Sequence, residues 1–197
     1  MKFFSTDLVP MYCDFSKNGT VVVFDTETTG LTPEDDVVEI AAAVMHHGNV
    51  VYSESVYLKN RVPIDGTEAQ QVNHITDAML AEKGKDPKEV LTCFLDRLDY
   101  WLKEDNGKVL LVAHNLSFDW MMISAMLSKY GLPSIPDKVI PCCTKEFVKA
   151  LKLPKSILLG NHLHNCIKVF NLRGVNSHEA LADTMACLEL FNYLTAE

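Results

Sequence analysis

Apolar residues fall in short runs along the chain, and their spacing alternates between strand-like and helix-like. Val21-Val22-Val23-Phe24 is an unbroken, mostly β-branched run that predicts a buried strand over 20–25. "VVEIAAAVMHHGNVVYSESVYLKN" predicts two further strands turned near Gly48-Asn49. A polar, irregular stretch follows to about residue 73. "TDAMLAEKG" predicts a short helix capped by Thr76 or Asp77. Pro87 opens another helix, with Val90, Phe94, Leu98 and Trp101 at helical spacing.

The second half repeats the alternation. "KVLLVAH" predicts a strand, "NLSFDWMMISAMLSKYG" a helix stopped by Gly131 and Pro133, and "KVIPCC" a short strand. Helices are expected over about 144–151, 161–170 and 179–194. Met121, Met122, Met126 and Leu127 read as a core stripe. Five strands with interleaved helices imply one three-layer α/β domain around a mixed sheet. That domain spans residues 20–197 and follows an extension, residues 1–19, to which the pattern assigns no role.

Composition narrows the class. The chain has 197 residues, 48% hydrophobic and 22% charged, which is ordinary for a soluble globular domain. No apolar run approaches the roughly 18 residues of a membrane span, and the first residues build no secretion signal. The six cysteines are scattered without a CxxC pair, so free thiols in a reducing, intracellular and cytoplasmic setting are expected.

Net charge is −8, which opposes a polyanionic partner at first sight. Residues 138–173, however, hold six lysines and one arginine against the single acid Glu146. That stretch is net +6 and the remainder −14, so one lobe can receive nucleic acid while the rest stays acidic. A lysine-rich solvated helical face explains the same charges.

Against this background the polar residues at element boundaries stand out. Asp25 and Glu27 follow the first strand's apolar run and alternate, so they point to one face at its C-terminal end. Ligand crevices of open α/β sheets lie at such ends. Asp119 is expected in the first turn of the helix after "VLLVAHN", and Asp183 near the start of the last helix. Four acids in one cleft are tolerable only if cations neutralise them, and carboxylate oxygens suit Mg²⁺ or Mn²⁺. Taken singly, Asp119 is explained as well by the helix macrodipole and Asp183 by a solvent-facing position. His178 lies five residues before Asp183, about 140° away on an ideal helix. Both face one site only if His178 stands at or before the first turn, which Ser177 as N-cap allows.

"FDTETTGL", "AHNLSFD" and "HEALAD" resemble, in order, the three motifs of the DEDDh or DnaQ-like exonucleases. "VNHITDAML" and the Cys143-Thr144 step before a lysine-bearing helix are similar to further segments of that family. The pattern covers roughly residues 20–195 and is nearest to the bacterial exodeoxyribonuclease and proofreading-subunit branch.

The resemblance implies a ribonuclease H-like fold and 3′→5′ removal of 5′-mononucleotides from DNA, preferentially at single-stranded 3′ ends, in proofreading, repair or degradation. It implies that Asp25, Glu27, Asp119 and Asp183 hold two divalent cations, Mg²⁺ with Mn²⁺ as substitute, about 3.5–4 Å apart. His178 would serve as general base. Thr26, Thr28 and Thr29 would run beside the terminal nucleotide, with Gly30 permitting a tight turn. Leu31 matches an apolar wedge, and His74 a residue packed on the 3′ nucleotide. Phe118 offers a stacking surface, though core packing is the commoner role. Asn115 is expected chiefly to cap its helix.

Two alternatives remain at this point: an RNA 3′-end trimming enzyme of the same superfamily, and a nuclease-like binding module without catalysis. A homodimer is compatible with the family. With few residues after the last helix, a free-standing exonuclease is expected over one tethered to a polymerase, and no membrane partner is expected. Asp35 and Asp36 in "PEDD" are expected in a solvated loop. His162, His164 and Cys166 do not share a helical face, which argues against zinc there.

Overall fold

The run beginning at Thr20 forms the centre of a five-stranded sheet. A computed structural model describes residues 3–174 and 179–196. Strand β1 (Thr20–Thr28) pairs antiparallel with β2 (Val37–His46), which pairs antiparallel with β3 (Asn49–Tyr57). On its other side β1 runs parallel to β4 (Val109–Ala113), and β4 parallel to β5 (Val139–Cys143). The order is β3-β2-β1-β4-β5, a mixed sheet as the sequence implies. All five residues of β4 are buried, which fits a parallel strand covered on both faces.

Two apolar layers sandwich the sheet. Val22 and Phe24 face α4 (Pro87–Glu104) and α5 (Leu116–Lys129), where Leu91, Phe94, Leu98, Met122 and Met126 fill the core. Val21 and Val23 face α8 (Ala180–Thr195), meeting Cys187, Leu188 and Phe191. Period-two alternation on β1 thus serves two cores at once.

Several expectations are refined. Helix α4 is capped by Asp86, whose side chain accepts from Glu89 N–H. It buries Leu91, Phe94, Leu98 and Leu102, whereas Val90 and Trp101 are only partly buried beside them. The irregular stretch before residue 73 contains a short helix, α2 (Glu68–Asn73), capped by Thr67. Thr76, not Asp77, caps α3 (Asp77–Lys83). Helices α6 (Thr144–Ala150) and α7 (Leu163–Val169) follow β5 much as expected.

The N-terminal segment packs in the fold. After a 3₁₀ turn, Val9–Asn18 form α1, with Pro10 in its first turn. Tyr12 is fully buried and Phe15 nearly so, both in the cluster that holds α8 against the sheet.

Asp36 corrects the reading of "PEDD" as solvated. Only 1% of Asp36 is exposed. Its carboxylate accepts from the Arg61 guanidinium at 2.8 Å and from the backbone N–H groups of Arg61 and Val62. A buried carboxylate needs such donors, and here they staple the loop after β1 to the chain after β3. Asp35 instead accepts from the backbone N–H and hydroxyl of Thr32.

Candidate active site

The C-terminal end of β1 brings the candidate acids together. Asp25 and Glu27 share the face that looks toward α8. Asp183 sits in the first turn of α8 and is buried, as is Asp119 in the first turn of α5. Asp119 enters from the opposite layer, and Thr26 Oγ donates to its Oδ1 at 2.8 Å. Three elements therefore present four carboxylates to one place.

Their proximity registers in their acidity. Burial pushes the Asp25 carboxyl up, and the negative charges of Asp119, Glu27, Asp183 and Glu39 push it further. Burial, then Glu39 and Asp183, raises Glu27 to about 8. Burial raises Asp119 to about 7 against the pull of the Thr26 hydrogen bonds. Groups that resist ionising together mark a place where positive charge is needed.

Among the described residues, no three Asp, Glu, His or Cys side chains are already drawn into a coordination set. The donor chemistry nevertheless fits a hard divalent cation. The converging side chains carry only carboxylate oxygens, and each charge added raises the acidity cost of its neighbours.

Two residues of the cleft escape the motif reading. Asn73, the last residue of α2, hydrogen-bonds Glu27 and also donates to the Thr28 carbonyl at 3.2 Å. It stands beside His74 in "VNH", which was its only signal. Glu39 lies directly opposite Glu27 across the β1–β2 ladder and is 5% exposed. Within "VVEIAAAV" it reads as one polar residue in a strand.

The loop after β1 is rigidly held. Thr28 Oγ donates to Gly30 O at 2.6 Å. Thr29 and Asp36 exchange two bonds of 2.9 Å, Thr29 N–H to Asp36 O and Asp36 N–H to Thr29 Oγ. Gly30 does not have a positive φ, so the expected need for glycine in a tight turn is not observed; a Cβ there would meet the Asp35 carboxylate at 2.5 Å, and that side chain would have to move. Leu31 at the tip is 78% exposed despite its apolar side chain.

Other candidates are placed differently. His74 is exposed and ends α2 in the left-handed region, φ 60°. Asn115 begins α5, yet its side chain makes no capping bond, so the expected cap is not observed. Its Oδ1 instead accepts from Lys145 Nζ at 3.4 Å. Phe118 is partly buried against the α4–α5 core, so part of its ring serves packing. His178 lies outside the described residues.

His114, at the end of β4, ties this cleft to the lysine-bearing lobe. Nε2 donates to Asn161 O at 2.8 Å, which leaves Nδ1 to accept from the Thr144 hydroxyl at 2.9 Å. Burial lowers its pKa to about 4, so the ring is neutral. His162 and His164 stack on the surface at 5.9 Å between centroids, while Cys166 is buried. All six cysteines are free thiols. Among the described residues no helix is long and apolar enough to cross a membrane.

Comparison with known proteins identifies the family and the fold. The RNase T family model, described as exonuclease, matches residues 22–191. The chain belongs to the exonuclease family. Its three motifs and fold are those of the DEDDh, DnaQ-like group. It is 32% identical over 180 residues to the PolC-type DNA polymerase III of Staphylococcus aureus. That match covers 89% of this chain but 11% of the relative, so the chain spans about a tenth of the polymerase's length. Exonuclease X, solved in complex with 5′ overhanging duplex DNA, superposes with a TM-score of 0.63 at 26% identity, covering 88% of this chain and 90% of that one. The zinc-bound ExoI–ssDNA complex of E. coli gives 0.72 at 18% identity over 90% of this chain and 41% of that one, a likeness of fold.

Proposed function

We propose that the protein is a metal-dependent 3′→5′ exonuclease that releases 5′-mononucleotides, with single-stranded DNA 3′ ends as its preferred substrate. The observation that carries this reading is the convergence of Asp25, Glu27, Asp119 and Asp183 from three elements of an exonuclease-family fold. DNA is favoured because Exonuclease X, similar along nearly its whole length, was solved with DNA.

Asp25, Glu27, Asp119 and Asp183 would hold two divalent cations, Mg²⁺ or Mn²⁺ by their oxygen donors. When bound, such a pair lowers the pKa of the attacking water and offsets charge on the leaving 3′ oxygen. The chain's own groups supply orientation. Thr26 fixes the Asp119 carboxylate, and Asn73 fixes Glu27. His178 takes the proton from the attacking water as general base. The backbone of Thr26 to Thr29 lies along the terminal nucleotide. Leu31 wedges against the last bases, and His74 packs on the 3′ nucleotide. Phe118 contributes what ring surface the core leaves free. A strand held by stacking and phosphate contacts is read with little sequence preference.

The test is a time course on a 5′-labelled single-stranded oligonucleotide, as DNA and as RNA, with Mg²⁺ and with EDTA. A metal-dependent ladder shortening from the 3′ end, faster on DNA, is expected. Faster shortening of RNA would make the protein an RNA-trimming enzyme. Absence of cleavage with Mg²⁺, and with Mn²⁺ in its place, would leave a nuclease-like binding module.

A further inference from the structure

We infer that Glu39 is a positioning residue of this site: from β2 it holds the N-terminus of α8, and with it Asp183, over Glu27. The inference rests on the exonuclease reading. Glu39 is a buried carboxylate placed directly across the ladder from Glu27. Directly opposed side chains in an antiparallel pair stand about 4.5–5.5 Å apart at Cβ, and like charges there are destabilising. Sheet packing alone is better served by Val, Thr or Gln at this position. The acid therefore needs a task that offsets its cost.

Its hydrogen bonds supply one. On the β3 side the Ser55 hydroxyl donates to Glu39 Oε1 and orients the carboxylate. On the other side the backbone N–H of Ala180 donates to it. Ala180 is the first residue of α8, and Asp183 follows three residues later in the same turn. A helix start leaves four N–H groups without intrahelical partners. The local N-cap residue of α8, Glu179, makes no side-chain capping bond. Glu39 acts as a cap delivered from the sheet. Since α8 packs across β1 and β2, this bond sets where its first turn meets the strand ends. A carboxylate accepting from a helix N-terminus is a charge-assisted contact of the stronger kind. The four candidate acids reach the cleft from separate elements, so a link between β2 and α8 fixes a spacing that no local sequence can.

The experiment compares wild type, Glu39→Gln, Glu39→Ala and Ser55→Ala on two readouts. The first is amide exchange across residues 179–184 in protein freed of divalent ions. The second is the split of kcat against KM on a single-stranded oligonucleotide. The Gln amide oxygen still accepts from Ala180, so Glu39→Gln keeps slow exchange and a kcat within about threefold of wild type. Glu39→Ala speeds exchange of the α8 first turn and lowers kcat by about ten- to a hundredfold with KM little changed. Ser55→Ala moves both readouts in the same direction by less, and keeps the test open if Glu39→Ala folds poorly. Unchanged exchange in Glu39→Ala overturns the inference. So does a Gln variant as inactive as Ala with normal exchange, because the charge itself would then be needed, as for an ion ligand. Wild type that cleaves nothing, with the exchange pattern as expected, removes the exonuclease reading and leaves the Glu39–α8 link standing.

Discussion

Thr26 and Asp119 are 93 residues apart in the chain, and their side chains meet inside the protein at 2.8 Å. The hydroxyl donates to a carboxylate that burial raises, and the bond opposes that rise, leaving the group at about 7. It also fixes the rotation of an acid that must face the other three. Replacing Thr26 by Val keeps shape and removes the donor. A charge-assisted bond contributes about 1.5–3 kcal/mol, so kcat at pH 7 should fall roughly ten- to a hundredfold. The loss should shrink at higher pH, where Asp119 ionises without help, and Thr26→Ser should recover most of the rate. A pH–rate profile of the three proteins checks this.

Glu27 makes the protein free of divalent ions sensitive to pH in an uncommon direction. Its folded pKa of about 8 lies above the ordinary 4.5, so the native state binds more protons than the unfolded chain between those values. Stability is then lost as pH rises from about 4.5 to 8. With EDTA present, Tm should decline across this range as far as this group governs it. Mg²⁺ should raise Tm more at pH 8 than at pH 5, because binding needs the ionised carboxylates. Thermal melts at several pH values test both statements. Glu27→Gln should flatten the EDTA curve.

Asp36 anchors the loop that carries Leu31. Burial works against its charge, but the Arg61 guanidinium and two backbone N–H groups hold its pKa below the usual carboxylate value. This contribution is present at neutral pH and is lost as pH falls through the folded pKa. Asp36→Ala strands the Arg61 and Val62 N–H groups and the Arg61 guanidinium, while the two Thr29 bonds, made by the backbone of residue 36, remain. The expected cost is about 2–3 kcal/mol by denaturant titration, discounted for the half-exposed Arg61. KM for oligonucleotide should rise more than kcat falls, since the loop and not the acids is loosened.

His114 should contribute nothing to a pH–rate limb near neutrality. With a folded pKa of about 4 against an ordinary 6.5, it stays neutral while the unfolded chain takes up a proton. Its share of stability is therefore complete above 6.5 and is lost as pH falls from 6.5 to 4. His114→Ala should cost about 1–3 kcal/mol by unbonding Thr144 and the Asn161 carbonyl. Any kinetic pKa near 6–7 should persist in that variant.

The acids were legible in the sequence because each sits where an apolar pattern breaks. Asp25 and Glu27 end a β-branched run, and Asp119 and Asp183 open apolar helices. Their companions were not legible, for a physical reason. Glu39 acquires meaning from what lies across the ladder, and periodicity along one strand carries no register. Asn73 ends a six-residue helix too short to show a repeat. Asp36 looks solvated until Arg61, 25 residues on, turns back to meet it. Helix α1 carries no assignment in the sequence reading because Tyr12 and Phe15 gain meaning only from the α8 cluster they fill, far along the chain.

The order in which β1, β4 and α8 join also has a bearing on synthesis. β1 is made early, but its parallel partner β4 lies more than eighty residues later, and Asp183 is the last of the four candidate acids to be made. A chain that stops short of residue 183 cannot assemble all four carboxylates. Under the proposed function, cleavage has to wait until the first turn of α8, which carries Asp183, has been made.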